Sequence, residues 1–275
     1  VQGASCRVGR LQGYPEAGGA LEIKLGHRAK PGIGGPLPGN RISADVSATR
    51  MIPQGVDAIS PAPHHDIYSI EDLRQLIFSL KEATAYKKPV IVKIAVGTNV
   101  SASARGMARR GAEITARGGF RVGPGAAPPG IRDNVGGPSE LGGAAIDPRL
   151  RQEGIRDDVS LVVAGSIRSS ADLVKAIALG ADACYIGTAA LLALGCHLCR
   201  TCHSGKCNWG IATQRPELVK RLNPDVGYKR LVNLVHAWTH ALQEMMGGMG
   251  INSVAALRGN RPLLPAVGLT RQACS

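Results

Sequence analysis

Apolar positions along this chain follow two periods. Short apolar runs at 56–60 (VDAIS), 89–96 (PVIVKIAV), 159–164 (VSLVVA) and 183–186 have the length and β-branched content of buried strands. Between them, apolar residues recur every three or four positions, the spacing of helices with one buried face. Ser69 with Asp72 three residues on supplies a capping box that opens a helix through Leu73, Leu76, Ile77 and Leu80. Residues 101–110 predict a weaker helix, Ser170 caps the helix ADLVKAIAL, which Gly180 ends, and 229–246 carry a helical pattern that forms a C-terminal element. Strand followed by helix, repeated, implies parallel strands covered by helices, either a barrel or a doubly wound sheet. Only five or six strand candidates emerge, short of the eight of a complete barrel.

Two stretches interrupt the rhythm. Residues 30–40 (KPGIGGPLPGN) hold four Gly and three Pro, which predicts a long loop of fixed backbone angles rather than a helix or strand. Residues 118–138 are likewise too rich in Gly and Pro for regular structure. The first twenty residues have no periodicity and are expected to form a poorly ordered arm (1–20) ahead of one domain (21–275).

A chain of 275 residues, 44% hydrophobic, can bury a substantial core. It contains no apolar run long enough to span a bilayer and no secretory leader in its first twenty residues, so a cytoplasmic location without membrane partners is the expectation. The formal charge of +13 raises the question of nucleic acid. Aromatics are only 3%, the basic residues are scattered, and no recognition-helix or zinc-finger spacing occurs, which argues against nucleic acid as a partner. A solvated basic surface, an acidic redox partner or anionic substrates all suit the charge.

The chemistry concentrates in cysteines. Of the seven in the chain, Cys196, Cys199, Cys202 and Cys207 fall within twelve residues. That clustering, with an odd total, favours a metal site over a disulfide framework. Cys199-Arg200-Thr201-Cys202-His203 matches the short haem-attachment pattern, but such attachment belongs to exported compartments. Four thiols with His197 and His203 offer tetrahedral zinc ligands. Thiols without a metal are a third reading, and an iron–sulfur cluster, for which soft thiolates converge from a Gly-containing segment, is a fourth.

The spacing Cys196, five residues, Cys202, four residues, Cys207, followed by Gly210-Ile211-Ala212-Thr213-Gln214, resembles the cluster segment of glutamate synthases. Two more stretches, in the same chain order, are similar to that family's motifs: GHRAKPGIGGPLPG at 26–39 and ISPAPHHDIYSIEDL at 59–73. The stand-alone flavin subunits, including that of N-methylglutamate synthase, are the most similar members. The resemblance implies an FMN-binding (β/α)8 TIM barrel, here expected to lack its first strands, with a C-terminal helical extension. It implies reductive amination of 2-oxoglutarate to glutamate, or with methylamine to N-methylglutamate, through 2-iminoglutarate. It further implies a 3Fe–4S cluster held by Cys196, Cys202 and Cys207, with Cys199 a spare. The implied partners are a glutaminase-type subunit supplying ammonia, since no glutaminase nucleophile is visible at the N-terminus, and an electron donor protein or NAD(P)H-oxidising subunit. A non-catalytic assembly subunit that keeps barrel and cluster is the alternative reading.

Roles on individual residues follow from the same resemblance. Lys30 and Arg50 match the cations that meet the 2-oxoglutarate carboxylates, and a dicarboxylate suits two such anchors. Lys93, a charge inside an otherwise apolar strand, must face a site or a partner, and the flavin pyrimidine and a structural salt bridge are the two readings. Gly165, Ser166, Gly187 and Thr188 sit at the ends of late strands, where a barrel binds phosphate. Gly123 and Gly125 match the family's Gly-rich loop after the fourth strand, although Val122 and Pro124 replace its Gly and Thr. The preceding GAEITARGG reads as a poor strand. His64 and His65 lie just past a strand end and are assigned no catalytic role.

Overall fold

The structure, a computed structural model, describes residues 1–4, 14–26, 34–120 and 128–265. Six strands form one all-parallel sheet: β1 (Gln2–Ala4), β2 (Leu21–Lys24), β5 (Val90–Ala95), β6 (Ile114–Gly118), β7 (Ser160–Ala164) and β8 (Ala183–Tyr185), adjacent in that order. A separate two-stranded antiparallel sheet pairs β3 (Gly35–Leu37) with β4 (Ala58–Ser60). Helices return the chain between successive parallel strands, and a 25-residue helix, Pro224–Gly248, packs on helices Ser170–Ala178 and Thr188–Ala193.

Alternation within each strand separates two faces. Leu21, Ile23, Val90, Val92 and Leu161 are buried in one cluster with Leu73, Ile77, Ala104 and Met107 of the covering helices. Their neighbours Glu22, Ile91 and Lys93 point the other way, towards the concave face.

The curvature decides between barrel and open sheet. Strands β2 and β8 are four positions apart in the sheet, so in a flat sheet they would be separated by about 19 Å. Yet the Tyr185 hydroxyl donates to Glu22 Oε2 at 2.7 Å. The sheet therefore curls on itself as an α/β barrel wall, and β1 and β8 lie at its two ends among the described residues.

Several expectations need correction. The arm foreseen over 1–20 contributes β1, which pairs with β2 from Gln2↔Glu22 to Ala4↔Lys24, and a helical turn, Tyr14–Ala17. The loop foreseen over 30–40 contains β3, pinned by the Ser60 hydroxyl donating to Gly35 O at 3.1 Å. The poor strand GAEITARGG is the interior strand β6, paired on both edges. Its Arg117 is 1% exposed on the helix-covered face, a position where a charge hides a strand from pattern reading. The stretch 118–138 includes a helix, Pro129–Asn134. Ser69 forms the expected capping box, whereas Ser169, not Ser170, caps the later helix, with Asp172 completing that box. No helix among the described residues is long and apolar enough to cross a membrane.

One buried ion network ties the layers together. Asp147, on helix Ser139–Gln152, accepts from Arg156 Nε at 2.7 Å and Arg151 Nε at 2.9 Å. Arg156 also donates to Asp182 Oδ2, Gly180 O and Val159 O, each at 2.9 Å.

Candidate functional site

The concave face carries the candidate site. An open cavity of about 720 Å³ is lined by Val1, Gln2, Ala20, Glu22, Ile91, Lys93, Cys184, Tyr185 and Ile186. Lys93 is therefore a cavity-wall residue, and both readings of it meet here: its Nζ donates to Glu22 Oε1 at 2.8 Å and lies 4.7 Å from the centre of the Tyr185 ring. Burial pushes the Glu22 carboxyl up, but the hydrogen bonds from Lys93 and Tyr185, the Lys93 charge and Gln2 outweigh it and hold the group below its usual range. One row nearer the C-terminal strand ends, Ala95, Gly118, Ala164 and Tyr185 are aligned across four strands. Three of those four side chains are methyl or hydrogen, which leaves room in the concavity beside Tyr185.

Sequence reading missed Glu22 and Tyr185. Their contact spans 163 positions of chain, and the only local signal was an acid in an otherwise apolar strand.

Acid should weaken the fold through these carboxylates. Asp147, where burial raises the pKa and the Arg151 and Arg156 hydrogen bonds lower it further, also ends below its ordinary value. A carboxyl with a depressed folded-state pKa contributes stability fully above its unfolded value and loses it as pH falls through the folded value. With ordinary values of 4.5 and 3.8 for Glu22 and Asp147, the urea midpoint is expected to stay level from neutrality to about pH 5 and fall steadily below about pH 4. A midpoint unchanged at pH 3 would contradict both assignments.

At the strand ends, Gly165 (φ 119°) and Ser166 (φ 58°) both take positive φ after β7. The Ser166 hydroxyl is buried with no hydrogen-bond partner, an acceptor-and-donor group left for a ligand to satisfy. Gly187 precedes helix Thr188–Ala193, and a Cβ there would meet nothing within 4 Å, so backbone and Thr188 face open space. Arg50 closes helix Ala44–Arg50, half-buried, and is not among the residues lining the concave cavity. Lys30, Gly123 and Gly125 lie outside the described residues.

His64 stands over the C-terminal end of β2: its N–H donates to Leu25 O at 2.7 Å, and its Nδ1 accepts from the Asp66 N–H at 3.2 Å. Its ring stacks on His65 with centroids 5.1 Å apart. His64 thus fixes the 61–67 loop on the barrel mouth.

The cysteine segment leaves the same mouth. Cys196 follows helix Thr188–Ala193 directly, its N–H bonded to Leu191 O at 2.9 Å. Cys207 is buried, and although burial raises its pKa, the N–H groups of Ala212, Trp209, Ile211 and Gly210 converge on the sulfur and hold it below the usual thiol range. Converging amides favour a thiolate, the form that ligates metal. Gly210 makes this turn possible: at φ 73° a Cβ would stand 2.7 Å from Leu218 O and 2.9 Å from Leu222 N. Burial pushes the Cys202 thiol up, and the charges of Cys207, Cys196 and Cys199 add to the shift. Cys199 is exposed and occupied with the Thr201 hydroxyl at 3.2 Å. Across the segment His197 stacks on Trp209 at 3.8 Å.

By donor chemistry the thiols of this segment suit either zinc or an iron–sulfur cluster. Tetrahedral zinc with bonds of about 2.3 Å needs sulfurs about 3.8 Å apart. Among the described residues the ligand atoms that gather within 4.8 Å belong to His64, His65 and Asp66, not to the cysteines. Cys184, at the cavity edge and packed against the cluster of Val163, Ile167, Ala176 and Ala181, has its thiol pushed up to about 11 by burial, which disfavours the thiolate.

A family profile described as the conserved region in glutamate synthase matches residues 1–252. The chain belongs to the glutamate synthase family. The archaeal-type glutamate synthase [NADPH] of Thermotoga neapolitana is 62% identical over 269 residues, which cover 98% of this chain and 53% of that protein. The archaeal glutamate synthase [NADPH] of Archaeoglobus fulgidus is also 62% identical, with the same coverage. The ferredoxin-dependent glutamate synthase of Pyropia yezoensis is 39% identical over 95% of this chain and 17% of its own. The chain thus spans about half the length of the first two relatives. Among solved structures, the flavin-binding domain of baker's yeast flavocytochrome b2 aligns over 93% of this chain and 51% of its own, with a TM-score of 0.52 at 16% identity. A mandelate oxidase aligns over 94% of this chain and 60% of its own at 0.51 and 18%. These structural likenesses support the α/β barrel fold of this glutamate synthase domain.

Proposed function

We propose that this chain is the FMN- and iron–sulfur-carrying part of a glutamate synthase, aminating 2-oxoglutarate reductively to glutamate through 2-iminoglutarate. The observation that carries this reading is Lys93 on the wall of a cavity of about 720 Å³, within the range that holds cofactors and small ligands. FMN supplies hydride when bound, and a 3Fe–4S cluster supplies its electrons. In this reading Gly165, Ser166, Gly187 and Thr188 hold the flavin phosphate with backbone N–H groups and hydroxyls, joined by Gly123 and Gly125. Lys93 faces the flavin ring, Lys30 and Arg50 hold the dicarboxylate, and Cys196, Cys202 and Cys207 ligate the cluster. N-methylglutamate formation from methylamine would use the same residues.

Ammonia would come from a glutaminase-type subunit or from solution, and electrons from a donor protein or an NAD(P)H-oxidising subunit. Exposed Arg200, Lys206, Arg215 and Lys220 around the cysteine segment suit an acidic donor.

Titrating 2-oxoglutarate against the flavin spectrum tests the substrate assignment. Lys30→Ala is expected to bind FMN normally but 2-oxoglutarate about tenfold or more weakly, the loss of one charge-assisted contact. An unchanged 2-oxoglutarate response overturns the role of Lys30, and a purified chain without any flavin favours the non-catalytic assembly reading.

A further inference from the structure

We propose that Glu22 is a positioning residue for the flavin half of the site: it clamps the Lys93 ammonium and neutralises it, setting the charge that the cavity wall presents to the cofactor. The inference rests on the flavin reading of Lys93 given above.

Three donors meet on this one carboxylate. Lys93 Nζ and Gln2 Nε2 share Oε1, the first at 2.8 Å, and Tyr185 Oη takes Oε2 at 2.7 Å. Both oxygens are engaged, so Glu22 has a single orientation. Tyr185 acts twice, since its ring face also lies under the ammonium at 4.7 Å. A free lysine side chain samples many rotamers. Here its tip is caught between a carboxylate from β2 and a ring from β8. Glu22 remains ionised in this setting although it is only 8% exposed.

Location separates this triad from a purely structural ion pair. The structural example in this molecule, Asp147 with Arg156, is sealed in the helix-covered layer, both partners being nearly inaccessible. Glu22, Lys93 and Tyr185 all line the open cavity on the opposite face of the sheet. A barrel that needed only a strap between β2 and β8 has no reason to put a cation–carboxylate pair where a ligand would feel its charge. A paired lysine offers directional N–H donors while adding little net charge, and loss of the carboxylate would turn the wall cationic.

Sulfite affinity of the FMN-loaded protein reads that charge, because sulfite adds to the flavin ring and leaves it anionic. Glu22→Gln is expected to bind sulfite about tenfold more tightly than wild type, the effect of removing one negative charge nearby. Glu22→Asp, which keeps the charge, should return to within about threefold of wild type. Unchanged or weaker sulfite binding by FMN-saturated Glu22→Gln overturns the proposal, since a merely structural role would alter stability and not the adduct. If Glu22→Gln does not fold, Lys93→Met/Glu22→Gln removes both charges and leaves no buried ion unpaired. Sulfite affinity within about threefold of wild type is then the outcome expected of a neutralised lysine, and a loss of tenfold or more overturns it. Failure of the wild-type chain to bind FMN would instead refute the flavin reading on which the inference rests.

Discussion

Replacing Asp147 with Ala is expected to destabilise the protein by about 3 kcal/mol, the low end of the cost of breaking a buried ion pair, since a second carboxylate stays on the buried partner. Arg156 is only 5% exposed, and Asp147 supplies the 2.7 Å acceptor for its Nε. Asp182, Gly180 O and Val159 O would continue to serve the other guanidinium nitrogens, so the Nε acceptor and one of two carboxylate partners are what is lost. Arg151 is more exposed and would turn to water at little cost. Packing reinforces the effect, because Gly180 at φ 106° leaves the space where its Cβ would lie 2.4 Å from that of Asp147. Urea unfolding at neutral pH measures the change. A loss below about 1 kcal/mol would mean that the network is no stronger than a surface pair.

The second large effect concerns the cysteine segment. Cys202→Ala is expected to abolish bound iron and sulfide while leaving the circular dichroism and the unfolding transition close to wild type. Cys202 is one of the three proposed thiolate ligands, so its loss leaves the cluster one ligand short. The segment contributes none of its cysteines to the buried hydrophobic clusters under the helices, which is why the barrel should persist. Cys199→Ala is the matched control. That thiol is exposed and hydrogen-bonded to Thr201, and its removal is expected to leave the iron content unchanged. Iron loss in Cys199→Ala with retention in Cys202→Ala would reverse the ligand assignment.

What could be read from sequence was what is decided locally. The Ser69–Asp72 capping box, the apolar run now seen as β5 and the C-terminal helix are set by neighbouring residues, and the chain behaves there as its pattern says. The failures have tertiary causes. β6 contains Thr115 and Arg117 on its covered face, so burial by helices, not alternation, makes it a strand. Helix Ser139–Gln152 carries Gly142, Gly143 and Pro148, which blur its periodicity; Gly142 is small because Val96 presses against it. β1 is three residues long and exists by pairing with β2. In the candidate site, the motifs identified the family and the cysteines. The Tyr185 side of the clamp on Lys93 was invisible because β8 meets β2 and β5 only when the sheet curls. Family membership shifts the meaning of the cysteines too, from four thiols of ambiguous spacing to three proposed ligands and one bystander.

The most direct test is the cofactor content of the chain purified without oxygen: flavin by absorbance, iron and sulfide by chemical analysis, and the cluster by electron paramagnetic resonance. One FMN and one three-iron cluster per chain are expected. Stoichiometric zinc with neither iron nor flavin would contradict the account.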